Sequence, residues 1–454
     1  MSIQLVTVVA LVLVFLTATI LPVHMGALAF VAAFVVGTVF VGESTDDIVA
    51  GFPGDLFIIL VGVTLLFAIA KGNGTVDRLV QLAVRAVGGR IALIPWVMFL
   101  VTGVLTAVGA VVPAAVAIIA PIGMGFANRY RISPMLMGLL IINGASAGGF
   151  SPMSIFGSIV NGVVDRNALP SSPGLLFLSS FLFNVALSVV VFFLFGGREL
   201  IRRSGEVVAT ATAAAESVPV GATSLVGGPL PGPSTTAGGS GSSAGLSDDD
   251  PTAPQPLTRD NVFTLLGLAA LAVGALGFGL DVGFTALTVA AVLSLISPVS
   301  AKAAVGQVAW PTVLLICGIV TFVSLMERVG TIDWLGHLVT QIGSPLLAAI
   351  IICLIGAIVS AFASTTGILG ALIPLAVPFL LAGEVGAIGL IIALSISSSV
   401  VDSSPFSTSG ALVVANSPEA QNDKVFRGLM VWGFSMCAVA PIATWLLFVV
   451  PGWG

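Results

Sequence analysis

"SSPFSTSG", residues 403–410, follows Asp402 and interrupts a stretch that otherwise reads as apolar helix, from "IGLIIALSISSSVV", residues 388–401, to "ALVVANS", residues 411–417. A second interruption of the same kind, "GFSPMSIFG", occupies residues 149–157. Proline lacks an N–H and its ring clashes with the carbonyl of the preceding turn, so Pro152 and Pro405 predict two broken helices. In a bilayer, backbone freed by a break is tolerated only where protein or a polar cavity satisfies it. The pair of breaks therefore predicts a polar site inside a hydrophobic bundle.

The rest of the chain supports the bilayer. Of 454 residues, 57% are hydrophobic and 8% charged, and apolar runs of membrane-spanning length recur along nearly all of it. The first of them lacks a basic n-region and a small-residue cleavage site, which reads as a retained span rather than a signal peptide. Cys317, Cys353 and Cys437 fall in apolar segments without metal-ligand spacing and read as small core residues. The acidic balance gives no indication of nucleic-acid binding.

The two breaks belong to a duplication. "SPMSIFGS" from Ser151 recurs as "SPFSTSGA" from Ser404, and Pro121 recurs as Pro374, both at an offset of 253. "GTVDRL", residues 74–79, recurs as "GTIDWL", residues 330–335, at an offset of 256. Between the units, residues 204–257 turn rich in Gly, Ser, Pro and Ala and read as a flexible linker. Residues 1–203 form the first repeat and 258–454 the second. Each is expected to run through three spans, at 3–21, 25–42 and 56–71, or 261–280, 283–298 and 308–326. A short interfacial amphipathic stretch follows, then a re-entrant hairpin (91–127 or 344–382), a broken helix (133–165 or 385–415) and a final span (174–197 or 427–450). The fold class is an all-α polytopic membrane protein of about ten transmembrane helices plus two hairpins.

With the N-terminus outside, all but Arg166 and Arg328 of the 15 Lys and Arg fall in the cytoplasm, as does the linker. The C-terminus then lies outside as well. Five spans precede the linker, an odd number, so the second repeat is inserted inverted relative to the first. Inverted repeats with paired broken helices mark secondary transporters, with the site near the midplane.

Helix starts exposed at such breaks attract carboxylates, whereas free carbonyls and hydroxyl oxygens suit a small cation. Ser151, Ser154, Ser404, Ser407 and Thr408 supply hydroxyls, with Ser364, Thr365 and Thr366 at the tip of the second hairpin. Serines and threonines also bond back to their own helix, and small residues serve helix packing, so clustering at related breaks is what carries the functional reading. Asp402 is the one acid well inside a predicted span, at a cost of at least about 2.5–3.5 kcal/mol, and no Lys or Arg in the spans can pair with it. It reads as a cation ligand or a proton carrier. Its repeat mate is Gly149, so the carboxylate belongs to one half only. His24 and His337 read as solvated, and neither a nucleophile–base set nor a phosphate-binding loop is visible. An enzyme is therefore not expected, and no cofactor beyond a sodium ion as one choice of coupling ion.

"MGALAFVAAFVVG" (25–37), "GFPGDLFIILVGVTLLFAIAKGNGTVDRLVQLAVR" (51–85), "RIALIPWVMFLV" (90–101) and "GASAGGFSPMSIFGSIVN" (144–161) resemble the MatC-type malonate/dicarboxylate carriers. "SSSVVD" (397–402) and the adjoining "SSPFSTSGALVVAN" (403–416) extend that resemblance into the second half. More distantly the layout is similar to divalent anion:sodium symporters of the ion transporter superfamily. The resemblance implies a homodimer in the cell membrane, with a scaffold and an elevator-like transport part. In those symporters each hairpin tip carries Ser-Asn-Thr. Here Ser364, Thr365 and Thr366 match in part, and "GAVVP" (109–113) offers only backbone groups.

The expectation is a cation-coupled carrier of small dicarboxylates such as malonate or succinate. Ser151, Ser154, Thr366, Ser404 and Ser407 would hold the substrate; Gly149, Ser364, Thr365 and Asp402 would hold the coupling cation. A cation/proton antiporter or an inorganic oxyanion permease on the same scaffold is the alternative.

Overall fold

In the computed structural model of the chain, residues 2–452 are described except 77, 80–81, 83–89, 204–257, 333, 335–343, 363–364 and 382–384. Among the described residues there are helices and turns but no strands. The first repeat contributes α1 (Ile3–Ile20), α2 (Met25–Val35, continued as a π-helical turn), the short α3 (Thr45–Ala50), α4 (Gly54–Gly72), α5 (Ile94–Ala107), α6 (Val112–Arg129), α7 (Pro134–Gly148), α8 (Ile155–Arg166) and α9 (Pro173–Leu194). The second contributes α10 (Arg259–Gly277), α11 (Val282–Ile296), the short α12 (Pro298–Ala304), α13 (Trp310–Arg328), α14 (Pro345–Phe362), α15 (Thr365–Leu381), α16 (Ala387–Val400), α17 (Thr408–Ala415) and α18 (Asn422–Thr444). The two series match element for element, including α3 and α12, which are too short and polar to stand out from the apolar pattern. Most of the two interfacial stretches lies outside the described residues.

Local chemistry sets the helix ends. Pro95, Pro113, Pro134, Pro173 and Pro311 stand in the first turns of α5, α6, α7, α9 and α13, where a missing N–H costs nothing. Ser44 with Asp47, and Thr258 with Asn261, form capping boxes that start α3 and α10. Among the described residues, six helical stretches are long and apolar enough to cross a membrane, and shorter apolar helices account for the rest. The chain is a multi-pass membrane protein.

Packing makes the duplication three-dimensional. In an outer group, α2 packs on α13 and α4 on α11, so each contact joins one repeat to the other. Both crossings are backbone to backbone. A Cβ on Gly26 would lie 2.2 Å from the Leu314 carbonyl oxygen, and one on Gly318 2.1 Å from that of Gly26. At the other crossing, a Cβ on Gly62 would lie 2.6 Å from the Gly283 carbonyl oxygen, and one on Gly283 2.8 Å from the Ile59 nitrogen. Gly26 and Gly62 recur as Gly283 and Gly318, close to the repeat offset, so one crossing is built twice. Small residues at such crossings are what lets apolar helices associate closely in lipid. Hydroxyls mark the ends of the same group: Thr7 pairs with Thr331 at 2.8 Å, and their repeat mates Thr264 and Thr75 meet through Asn73 and Asn261.

The inner group holds the two hairpins, the broken helices and the final spans. Hairpin α5–α6 and span α9 pack around α7; hairpin α14–α15 and span α18 pack around α16. The outgoing arm of each hairpin also packs on the second half-helix of the other repeat, α6 on α17 and α15 on α8. All 15 residues of α7 are buried. The inner group meets the outer one along α4–α8 and α13–α15. Arg166 of α8 grips Asp55 of α4 there (2.7 Å), and Arg328 binds Glu43 (2.8 Å). These are the two cations that the charge pattern separates from the other 13. Their partners are Asp55, in the first turn of α4, and Glu43, just before α3.

Gly26→Ala and Gly283→Ala should each cost at least about 1–3 kcal/mol by overpacking a backbone contact. Gly125→Ala, whose Cβ would meet nothing within 4 Å, should not lower stability. Thermal unfolding in detergent compares the three.

Candidate functional site

Each broken helix is organised by the same seven residues, Ser-Pro-x-Ser-x-x-Gly. The first break runs from the end of α7 at Gly148 to the start of α8 at Ile155; the second passes from Val400 through a 3₁₀ turn at 401–403 to Thr408. Ser154 caps α8: its hydroxyl donates to the carbonyls of Gly149 and Ser151 and accepts from the Gly157 N–H at 3.2 Å. Ser407 caps α17 in the same way, donating to the carbonyls of Asp402 and Ser404 and accepting from the Gly410 N–H at 3.1 Å. These caps satisfy groups that a helix start in a low-dielectric interior cannot leave free.

Gly157 and Gly410 complete the motif, and sequence reading gave them no role. A Cβ at Gly157 would lie 2.0 Å from the Ser151 carbonyl oxygen, and one at Gly410 1.9 Å from that of Ser404. The break folds back onto the first turn of the half-helix, and only glycine leaves room for it. The signal was present, since both glycines stand in the repeated octapeptides.

The second break carries what the first lacks. The buried carboxylate of Asp402 accepts from the Ser409 hydroxyl at 2.7 Å, and among the described residues no Lys or Arg pairs with it. Ser404 donates to the Ala361 carbonyl at 2.9 Å, at the end of α14. Ser360 donates to the Ser398 carbonyl at 2.7 Å and pairs with the Thr365 hydroxyl at 2.9 Å. The second hairpin tip is therefore tied to its broken helix by hydroxyls. Thr366 is buried in the first turn of α15, and Ser364 lies outside the described residues. At the first tip, Gly109 has φ +117° and sits against Val63 of α4, and Ser151 accepts a 3.4 Å bond from the Met153 N–H. The 401–403 turn packs against α7, which brings Asp402 beside the helix leading into the first break.

Ser409, Ser360 and the two motif glycines are the residues that sequence reading missed. The hydroxyl hydrogens of Ser154 and Ser407 are committed to carbonyls in this conformation, so these serines organise the breaks from within. Groups for an anion remain in the first-turn N–H groups of α8 and α17, at Ile155, Phe156, Thr408 and Ser409, which have no intrahelical partner. For a cation there are the Asp402 carboxylate and the hydroxyl lone pairs. Both ligand types are compatible with this arrangement.

Such a bundle is a membrane transporter. Residues 1–149 match the family model described as dicarboxylate carrier protein MatC N-terminus, and residues 279–452 match the one described as citrate transporter. Among solved structures, the Alcanivorax borkumensis YdaH transporter is similar at 14% identity, with 88% of this chain and 86% of that chain covered and a TM-score of 0.56. No curated protein matches the chain.

Ser154→Ala and Ser407→Ala should each destabilise by about 0.5–2 kcal/mol, by losing an N-cap. Because the caps are equivalent, the two losses should agree, which parallel thermal melts check.

Proposed function

We propose that the protein is a secondary carrier that takes up small dicarboxylates of the malonate or succinate type together with a cation. The observation that carries this reading is the pair of equivalently capped helix starts, with the caps Ser154 and Ser407 buried and one buried carboxylate, Asp402, on one side only. Carboxylate groups of the substrate are bound by the first turns of α8 and α17, with Ser151 and Thr366 adding hydroxyl contacts, while Ser404, whose hydrogen goes to the Ala361 carbonyl, ties the second break to its hairpin. Ser154 and Ser407 hold those turns in shape. Asp402, with Ser409, Thr365, Ser364 and the Gly149 carbonyl, serves the coupling cation, a sodium ion or a proton. No buried Arg is needed, because helix dipoles and the cation balance the anion. The two matched family models, one for a dicarboxylate carrier and one for a citrate transporter, support a carboxylate substrate.

The inner group moves as an elevator against the outer group, in a homodimer. The linker and most basic residues face the cytoplasm and both termini lie outside. Support for the motion comes from the α4–α8 and α13–α15 contact, where among the described residues Arg166–Asp55 is the one ion pair that crosses.

In proteoliposomes, an inward sodium or proton gradient should drive uptake of labelled succinate or malonate; no uptake under either gradient would refute the carrier reading. Competition by excess citrate measures whether the tricarboxylate is also accepted. Asp402→Asn should slow gradient-driven uptake at least about tenfold, equivalent to about 1.4 kcal/mol in the barrier. Unchanged uptake with unchanged cation dependence in that variant removes Asp402 from coupling.

A further inference from the structure

At the basic end of the bundle, where α6 turns into α7, a cavity of about 390 Å³ opens beside the end of α9. Asn128, Arg131, Ser133, Phe195, Arg203 and Gln421 are among its lining residues, and it shares none with either break. The guanidinium of Arg203 is fixed by donating to the carbonyls of Tyr130 (2.9 Å) and Arg131 (3.2 Å), which leaves further N–H groups of its fork unused. Arg131 is exposed and, among the described residues, has neither an ion pair nor a hydrogen bond from its side chain. Glu199, the acid in the lining, is ion-paired with Arg202 at 2.8 Å.

The backbone adds to the positive field. The 15-residue α7 begins at this cavity with Ser133 as a cap that makes no side-chain bond and with Pro134, which has no N–H. The N–H groups of Met135 and Leu136 then have no intrahelical partner, and the positive end of the helix dipole lies at the cavity. Arg131 holds φ +51°, a conformation rare for a residue with a side chain. Phe195 and Gly196 directly follow the 22-residue apolar span α9, so the cavity lies at the end of that span.

From this convergence we infer that the cavity binds a phosphate group, held by Arg131, Arg203 and the start of α7. A carboxylate is saturated by one guanidinium fork, whereas a tetrahedral phosphate offers oxygens to two forks and a helix start together. Basic pockets between membrane helices bind anionic headgroups by this chemistry. The phosphate is that of an anionic phospholipid or that of a soluble phosphate compound, two sources with one recognition.

Thermal unfolding of the delipidated full-length protein separates them, with short-chain phosphatidylglycerol, phosphatidylcholine, inorganic phosphate and succinate as probes. Arg131→Gln is the test variant, because removing a side chain without bonds spares the fold; Arg203→Gln is the companion. Phosphatidylglycerol should raise the melting temperature of the wild type, and Arg131→Gln should raise its half-saturating concentration about tenfold. Stabilisation by phosphatidylglycerol alone supports the lipid source. Arg131-dependent stabilisation by inorganic phosphate supports the soluble one. Equal stabilisation by phosphatidylcholine, stabilisation only by succinate, no effect of either phosphate probe, or an unchanged response in Arg131→Gln overturns the proposal.

Discussion

Everything in this bundle depends on satisfying backbone polar groups where two helices are broken inside an apolar interior. An orphaned N–H or C=O in a medium that cannot hydrogen-bond costs several kcal/mol, so a break persists only if the chain supplies its own partners. The capping serine does so at both breaks: Ser154 and Ser407 each donate back to the break and accept from the glycine at the third helical position, three residues on. With the internal carbonyls and one N–H settled, the remaining first-turn N–H groups are the ones left for a ligand to satisfy. The polar site is thus a by-product of a well-capped interruption.

The outer group solves a different problem, the association of apolar helices in a solvent that gives them no hydrophobic reason to associate. Gly26 against Gly318 and Gly62 against Gly283 bring backbones into contact, which maximises dispersion and places no bulky side chain between the repeats. Since one crossing is the image of the other, the frame inherits the symmetry of the duplication. Against it, the inner group presents mostly apolar surface, with Arg166–Asp55 as a half-exposed fork whose stabilisation is at most about 1 kcal/mol.

Sequence pattern carried the fold far. The all-helical polytopic fold follows from the apolar runs, because in lipid the options for a chain are few. Legibility was weaker within the site. That Ser154 and Ser407 turn their hydroxyl hydrogens inward follows from cap geometry, which one-dimensional spacing does not specify. Ser409 lies seven residues from Asp402 and Ser360 lies 38 from Ser398, so the bonds that place them depend on how segments pack. Gly157 and Gly410 were visible as letters, but their purpose is a carbonyl approaching within 2.0 Å of where a Cβ would stand, a three-dimensional fact. Arg131 and Arg203 looked like orientation signals only; the cavity between them emerges once α6, α7 and the segment after α9 meet.

The repeated crossing also bears on energy balance. In a carrier that alternates, exchanging the conformations of two inverted repeats generates the opposite-facing state. In such a cycle the duplicated crossing and the two equivalent caps would favour neither state. Features that are not duplicated would bias such a cycle, among them Asp402 opposite Gly149 and a hairpin tip pinned by Ser404 to Ala361 opposite one resting on Gly109. In a carrier of that kind the resting orientation would be set where the two repeats differ, not by the frame they share.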